Sequence, residues 1–237
     1  MTAPKRLARI AGVLYLLVGI FGGFAQAFME PKMYVAGNAA ATAGNVVANA
    51  GLVRIGVVAD LFDATIFVFL ALTLYVLLNQ VHKGVASAMV ALVVICAGVE
   101  CLNSVFEFGG LRVATDSAYV AAFGAAGSNA LVYLLLDLQH YGLLIAQIFF
   151  GLWLVPLGYL AYRSGWFPKS LGGLLIVGAA CYIADLLAQF LVPDLGQAIH
   201  GYITIPAAIA EISMVGYLLI VGVKTMKPAP ERILAAA

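Results

Sequence analysis

The chain has 237 residues, of which 64% are hydrophobic and 10% charged, with a mean hydropathy of +1.06 and a formal net charge of +1. A soluble domain carries roughly 25% charged residues, so the composition excludes one and describes an all-α integral membrane protein. The near-neutral charge, with no basic stripe, excludes the electrostatic footprint of a nucleic-acid partner.

A helix needs about 20 apolar residues to cross the hydrocarbon of a bilayer. Six runs meet that length, at about residues 8–29, 53–78, 85–107, 130–162, 171–192 and 201–223. They predict a single polytopic domain over 1–237, a bundle of six transmembrane helices with the lipid bilayer as its main partner. Ahead of the first run stand Lys5, Arg6 and Arg9, and Ala25-Gln26-Ala27 resembles a signal-peptidase site. The length of the run favours a retained helix, and Gly19 and Gly23 form a GxxxG face that admits a homodimer. Between runs one and two, Asn38 is placed to cap a short surface helix. Between runs three and four, Asp116 starts another, with Gly127-Ser128-Asn129 as the breaker. The connection around Pro193-Asp194-Leu195-Gly196 reads as tight. On the other side the turns are Asn79 to Gly84, and Ser164 to Ser170 with Gly165 and Pro168.

Six spans put both termini on one side. That side holds Lys5, Arg6, Arg9, Lys83, Arg163, Lys169, Lys224, Lys227 and Arg232, leaving only Lys32, Arg54 and Arg112 of the 12 basic residues elsewhere. The positive-inside rule makes it the cytoplasm, and Trp153, Tyr159, Tyr162, Trp166 and Phe167 read as an aromatic belt at that interface. Cys96, Cys101 and Cys181 lie within apolar runs and read as packing residues.

Acids show the reverse bias. Asp60, Asp63, Glu100, Glu107, Asp137, Asp185 and Glu211 fall inside or at the ends of the spans, mostly in the outer half. A charged group at a helix centre costs roughly 2.5–3.5 kcal/mol on insertion scales. Positions three, four and seven apart share a helix face. Glu100, Asn103 and Glu107 therefore form one stripe, Asp137, His140 and Gln147 a second, and Tyr182, Asp185 and Gln189 a third. Lipid cannot satisfy such groups, so the stripes are expected to meet in one outer pocket. Its expected lining is Asp60, Glu100, Asn103, Asp137, His140, Asp185 and Glu211, with Arg54 as counter-ion near the mouth and His200 within reach of it.

Three functions fit such a pocket. Unpaired carboxylates in a low dielectric take up protons or bind a cation, which suits binding or translocation of a proton, a cation or a small cationic solute. An intramembrane enzyme would use His140 and neighbouring carboxylates as acid and base. It would alternatively hold a bound metal cation on ligands drawn from Asp137, His140, Glu100, Asp185 and Glu211. Two-metal bundle sites use Glu-x-x-His from each of two helices, whereas here there is one Asp-x-x-His. The third reading is a scaffold in which a polar network only pins the helices. No P-loop, HExxH or GxSxG motif is present.

The stretch Leu134 to Gly142, Ile148 to Leu152, Leu157 to Leu160, and Arg163-Ser164-Gly165 with Pro168 carry a resemblance. So do Tyr182 with Asp185, Arg54-Ile55-Gly56 before Asp60, and Ala210-Glu211. Together they resemble an uncharacterised bacterial membrane family known as domain of unknown function 4386, over roughly residues 7–223. The resemblance implies a six-helix protein of the bacterial cytoplasmic (inner) membrane and no particular activity. An acidic residue often follows the histidine in that family, and here Tyr141 stands there. A tryptophan is frequent in the last helix where this chain has Tyr217. The first departure weakens a metal site that needs one more carboxylate beside His140.

Overall fold

The structure is a computed structural model that describes residues 3–224. Lys227, Glu231 and Arg232 lie outside the described residues. No strand occurs among the described residues. Helix α1 runs through Ala3–Met33, α2 is Ala39–Ala48, α3 Ala50–Leu78, α4 Lys83–Thr115 and α5 Ser117–Leu152. Helix α6 is Leu154–Ser164, α7 Lys169–Leu191, α8 Pro193–Ile203 and α9 Ile205–Ile220. Six segments are long and apolar enough to cross a membrane: α1, α3, α4, α5 with α6, α7, and α8 with α9.

Each span sorts its residues by the 3.6-residue period. In α1, Ala8, Ala11, Tyr15 and Val18 are buried, while Ile10, Val13, Leu16 and Ile20 face outward. The spans close into a ring in the order α1, α3, α4, α5, α7, α9, with α9 returning to α1. Lys5 packs on Gly222, so the first and last described segments meet at one end of the bundle. Gly12 and Gly22 are the close-packing glycines of α1: a Cβ at Gly12 would lie 3.0 Å from Leu218, and one at Gly22 would lie 3.0 Å from Asp63. Gly19 and Gly23, the GxxxG pair, face open space.

The connections follow their capping chemistry. Asn38 Oδ1 accepts from the Ala41 N–H at 2.9 Å and starts α2. His82 Nδ1 accepts from Val85 at 3.2 Å and starts α4, and Asp116 Oδ1 accepts from Ala118 at 3.0 Å and starts α5. Three details depart from the sequence reading. The break in the N-terminal part of α5 is at Gly124 (φ 71°, ψ 169°), not at Gly127-Ser128-Asn129, because only a glycine adopts that backbone without strain. Pro193 does not close a tight turn; it opens α8, which proline favours at a first helical position. Trp153 is not interfacial. It sits at the α5–α6 break with no exposed surface, edge-on to Tyr15 at 5.3 Å and to Phe67 at 5.0 Å.

One helix crossing brings two glycine backbones together. At the α6–α7 contact a Cβ on Gly158 would lie 2.6 Å from the Gly172 carbonyl, and one on Gly172 would lie 2.6 Å from the Gly158 carbonyl. Small residues let membrane helices approach to backbone contact. Gly158→Ala or Gly172→Ala is therefore expected to cost about 1–3 kcal/mol of overpacking strain, read as a lower unfolding midpoint of the purified protein in detergent. Gly98→Ala, whose Cβ meets open space, is the control and is expected to leave the midpoint unchanged.

Candidate functional site

The stripes do turn inward, but they form two polar groups. The first lies between α1, α3, α4 and α5. Glu100, Asn103 and Glu107 project from α4 and are at least nine-tenths buried, as is Asp63 from α3. Asp60, one turn before Asp63, is half-buried and stands within hydrogen-bonding range of Glu107. Glu30 joins from α1 as an electrostatic neighbour of Asp60 and Glu107, and Asp63 neighbours Glu100 and Asp60. Five carboxyl groups thus share one interior. Asp63 Oδ1, Glu100 Oε2 and both Glu107 oxygens are buried with no donor bonded to them, and the donor Asn103 Nδ2 is buried with no acceptor. Glu100 Oε1 receives only a weak thiol bond from Cys96, at 3.6 Å. Two ionised carboxylates are both acceptors, so the Asp60–Glu107 contact becomes a hydrogen bond only with a proton between them.

Small residues make this space. A Cβ at Gly56 would lie 2.5 Å from the Met29 sulfur and 3.1 Å from Glu107 Oε1. Gly142 on α5 leaves the gap into which the Asn103 amide reaches. A cavity of about 10 Å³ sits beside Glu30 and Glu107, lined also by Met29, Tyr34 and Gln139.

At the outer margin His140 and Asp137 are one turn apart on α5 but do not pair with each other. His140 Nδ1 lies 2.6 Å from Glu30 Oε1, and Asp137 accepts from the Tyr34 hydroxyl. Tyr34 stacks between His140 and Tyr133, with ring centroids 5.1 and 5.7 Å away. Tyr133 in turn accepts from the Gly37 N–H at 2.9 Å. Burial and the Asp137 carboxylate hold the Tyr34 phenol protonated well above its ordinary range.

The second group lies between α1, α5, α7, α8 and α9, and it is fully supplied with donors. Asp185 has no exposed surface. It accepts from Gln147 Nε2 at 2.9 Å and pairs with His200 Nδ1 at 2.9 Å. Gln147 also donates to the Tyr182 carbonyl at 3.0 Å. Glu211 accepts from the hydroxyls of Tyr15 at 2.8 Å and Tyr182 at 2.9 Å.

The structure therefore places Asp60, Glu100 and Asn103 in one group, Asp185 and Glu211 in another, and Asp137 and His140 at the outer margin of the first. Arg54 is exposed and has no carboxylate partner among the described residues, so it does not neutralise the array. Among the described residues no three His, Cys, Asp or Glu side chains converge to hold a metal ion. Glu30 was hidden from sequence reading because it falls just past the end of an ordinary 22-residue span. Tyr15, Tyr34 and Tyr133 were hidden because aromatic residues in apolar runs read as core. Their one signal is that a buried tyrosine hydroxyl needs a partner.

The donor-rich group generates a stability prediction. Asp185→Ala strips Gln147 and His200 of a common acceptor and is expected to cost about 1–3 kcal/mol, measured by unfolding in detergent. Asp185→Asn keeps an acceptor for Gln147 and should cost less. An alanine variant as stable as the wild type would show that the Gln147–Asp185–His200 set contributes nothing.

An uncharacterised protein of Archaeoglobus fulgidus is 31% identical over 123 residues, which cover 52% of this chain and 60% of that relative. The chain thus spans about 60% of the length of the curated relative it matches. No solved structure matches. The family described as Domain of unknown function (DUF4386) matches residues 10–222, almost all of the helical bundle, and this chain belongs to that family.

Proposed function

We propose that the protein takes up protons, or a single small cation, in the acid array of Glu30, Asp60, Asp63, Glu100 and Glu107, and passes them into the outer half of the membrane. The reading is carried by one observation: four buried carboxylate oxygens, on Asp63, Glu100 and Glu107, have no donor. A buried charge without a partner is compensated by a proton or a counter-ion. Interhelical hydrogen bonds in membranes average about 0.6 kcal/mol, so a pinning role is a poor cause for acids that make no such bond. The 10 Å³ cavity beside Glu30 and Glu107 has space for about one water, which favours a proton or bare ion over a bulky cationic solute. An acid–base enzyme using the Asp137–His140 pair is less well supported, since Asp137 bonds Tyr34 and not His140. The basic residues at the end where Lys5 meets Gly222 support cytoplasmic termini in a bacterial inner membrane.

Reconstitution into liposomes containing a pH-sensitive dye tests this reading. Under an imposed potassium diffusion potential, wild-type vesicles are expected to change internal pH faster than empty ones. Glu107→Gln and Asp63→Asn are each expected to slow that change by about tenfold or more, the equivalent of about 1.4 kcal/mol in a barrier. The proposal fails if wild-type vesicles match empty ones and the detergent-purified protein shows no unfolding shift with pH or sodium.

A further inference from the structure

We propose that Glu30 is the shuttle of this site, carrying protons from His140 at the outer surface to the Asp60–Glu107 pair inside. The proposal rests on reading the acid array as a proton path, and it names the proton as the species that enters. Its basis is position. Glu30 Oε1 lies 2.6 Å from His140 Nδ1 on one side, and Glu30 is the electrostatic neighbour of both Asp60 and Glu107 on the other. Glu30 also lines the same small cavity as Glu107, so one carboxyl group joins a solvent-accessible base to the donor-poor interior. The His140 side chain is 38% exposed and that of Glu30 17%, whereas Glu107, beyond it, is buried. Exposure therefore falls along the line from His140 to Glu107.

The backbone around Glu30 is built for this. Residues Gly23–Met29 form a π-helical turn, and Glu30 is the first residue after it. A π turn inserts an extra residue and rotates everything beyond it; such turns occur frequently at functional sites. Pro31 follows and supplies no N–H to the helix ladder. Without the π turn the helix face beyond Gly22 would point elsewhere, and the Glu30 carboxyl would leave the line between His140 and Glu107.

The transfer balances without a further reactant. Water outside protonates His140 at Nε2. The Nδ1 proton crosses to Glu30 Oε1, leaving a neutral imidazole and a carboxylic acid. Glu30 then turns inward and gives that proton to the carboxylate of Asp60 or Glu107, becoming a carboxylate again. The exposed imidazole regains its starting tautomer by exchange with water. The groups facing Glu30 and His140 are Tyr133, Asp137 and Tyr141 on α5, Tyr34 and Lys32 around the end of α1, Asp60 on α3 and Glu107 on α4. Helix α2 presents no titratable side chain. Lys32 is engaged over the Phe28 ring at 3.6 Å, so His140 is the only cationic group in contact with Glu30.

The liposome assay separates this inference from the reading beneath it. Glu30→Gln is expected to reduce proton flux by about tenfold, and Glu30→Asp, with a shorter reach, to restore part of it. His140→Gln is expected to flatten the dependence of flux on outer pH between about 5 and 8, the range in which an imidazole titrates. A merely structural Glu30 would change neither the pH dependence nor recover with aspartate. If wild-type vesicles conduct and Glu107→Gln vesicles do not, while Glu30→Gln conducts like the wild type with an unchanged pH dependence, the shuttle is overturned and the acid array stands. If wild-type vesicles do not conduct, the shuttle falls, and the acid array falls with it when the detergent-purified protein also shows no unfolding shift with pH or sodium. Should Glu30→Gln not fold, Glu30→Asp decides alone: slowed flux with an altered pH dependence supports the shuttle, and unaltered flux overturns it.

Discussion

Water cannot follow a carboxylate into a bundle of apolar helices, and the polar interior of this protein is organised by how each buried acid is compensated. Asp185 and Glu211 are compensated by protein: an amide and an imidazole for the first, two phenols for the second. Asp63, Glu100 and Glu107 are not. The difference is not one of burial, since Asp185 is the most buried acid of all. It is one of donors. The α7–α9 side of the ring carries Gln147, His200, Tyr15 and Tyr182 around its acids. The α3–α4 side surrounds its acids with Met29, Cys96, the unbonded amide of Asn103 and other acids.

The same ring closes beside the acids with apolar packing. Phe67 lies one turn beyond Asp63 on the same face of α3, and it packs on Trp153, which packs on Tyr15. Past these aromatic rings the core is leucine: Leu70, Leu74, Leu77, Leu157 and Leu160 are all fully buried or nearly so. The acid array is thus bordered, on the Leu78 side of α3, by aromatic and leucine packing.

The spans were legible because hydropathy and length suffice for membrane helices. The inward stripes were legible because lipid leaves polar groups no other direction. The grouping of those stripes was not. His140 and Gln147 are seven residues apart on one face of α5, and periodicity alone sends both to the same pocket. That face looks into the groove between α1 and α7, so one side chain turns to Glu30 and the other to Asp185. The choice is made by neighbours that single-helix periodicity does not see. Arg54 misled for a related reason. It lies near the acids in sequence, but an arginine at the outer end of a helix can keep its guanidinium in the headgroup region at little cost, and it does not enter the bundle.

Glu30 shows how a local irregularity escapes composition and yet governs a site. Its neighbours Pro31 and Lys32 read as the start of a polar connection. A uniform 3.6-residue count puts position 30 about 60° from Tyr15, and the π turn, with more residues per turn, rotates it away from that position. The π turn spans seven residues, Gly23–Met29, and contacts at its end and just beyond it hold its setting. Here those contacts are Met29 seated on Gly56 and Glu30 on His140, the two that bring α1 against the acid array.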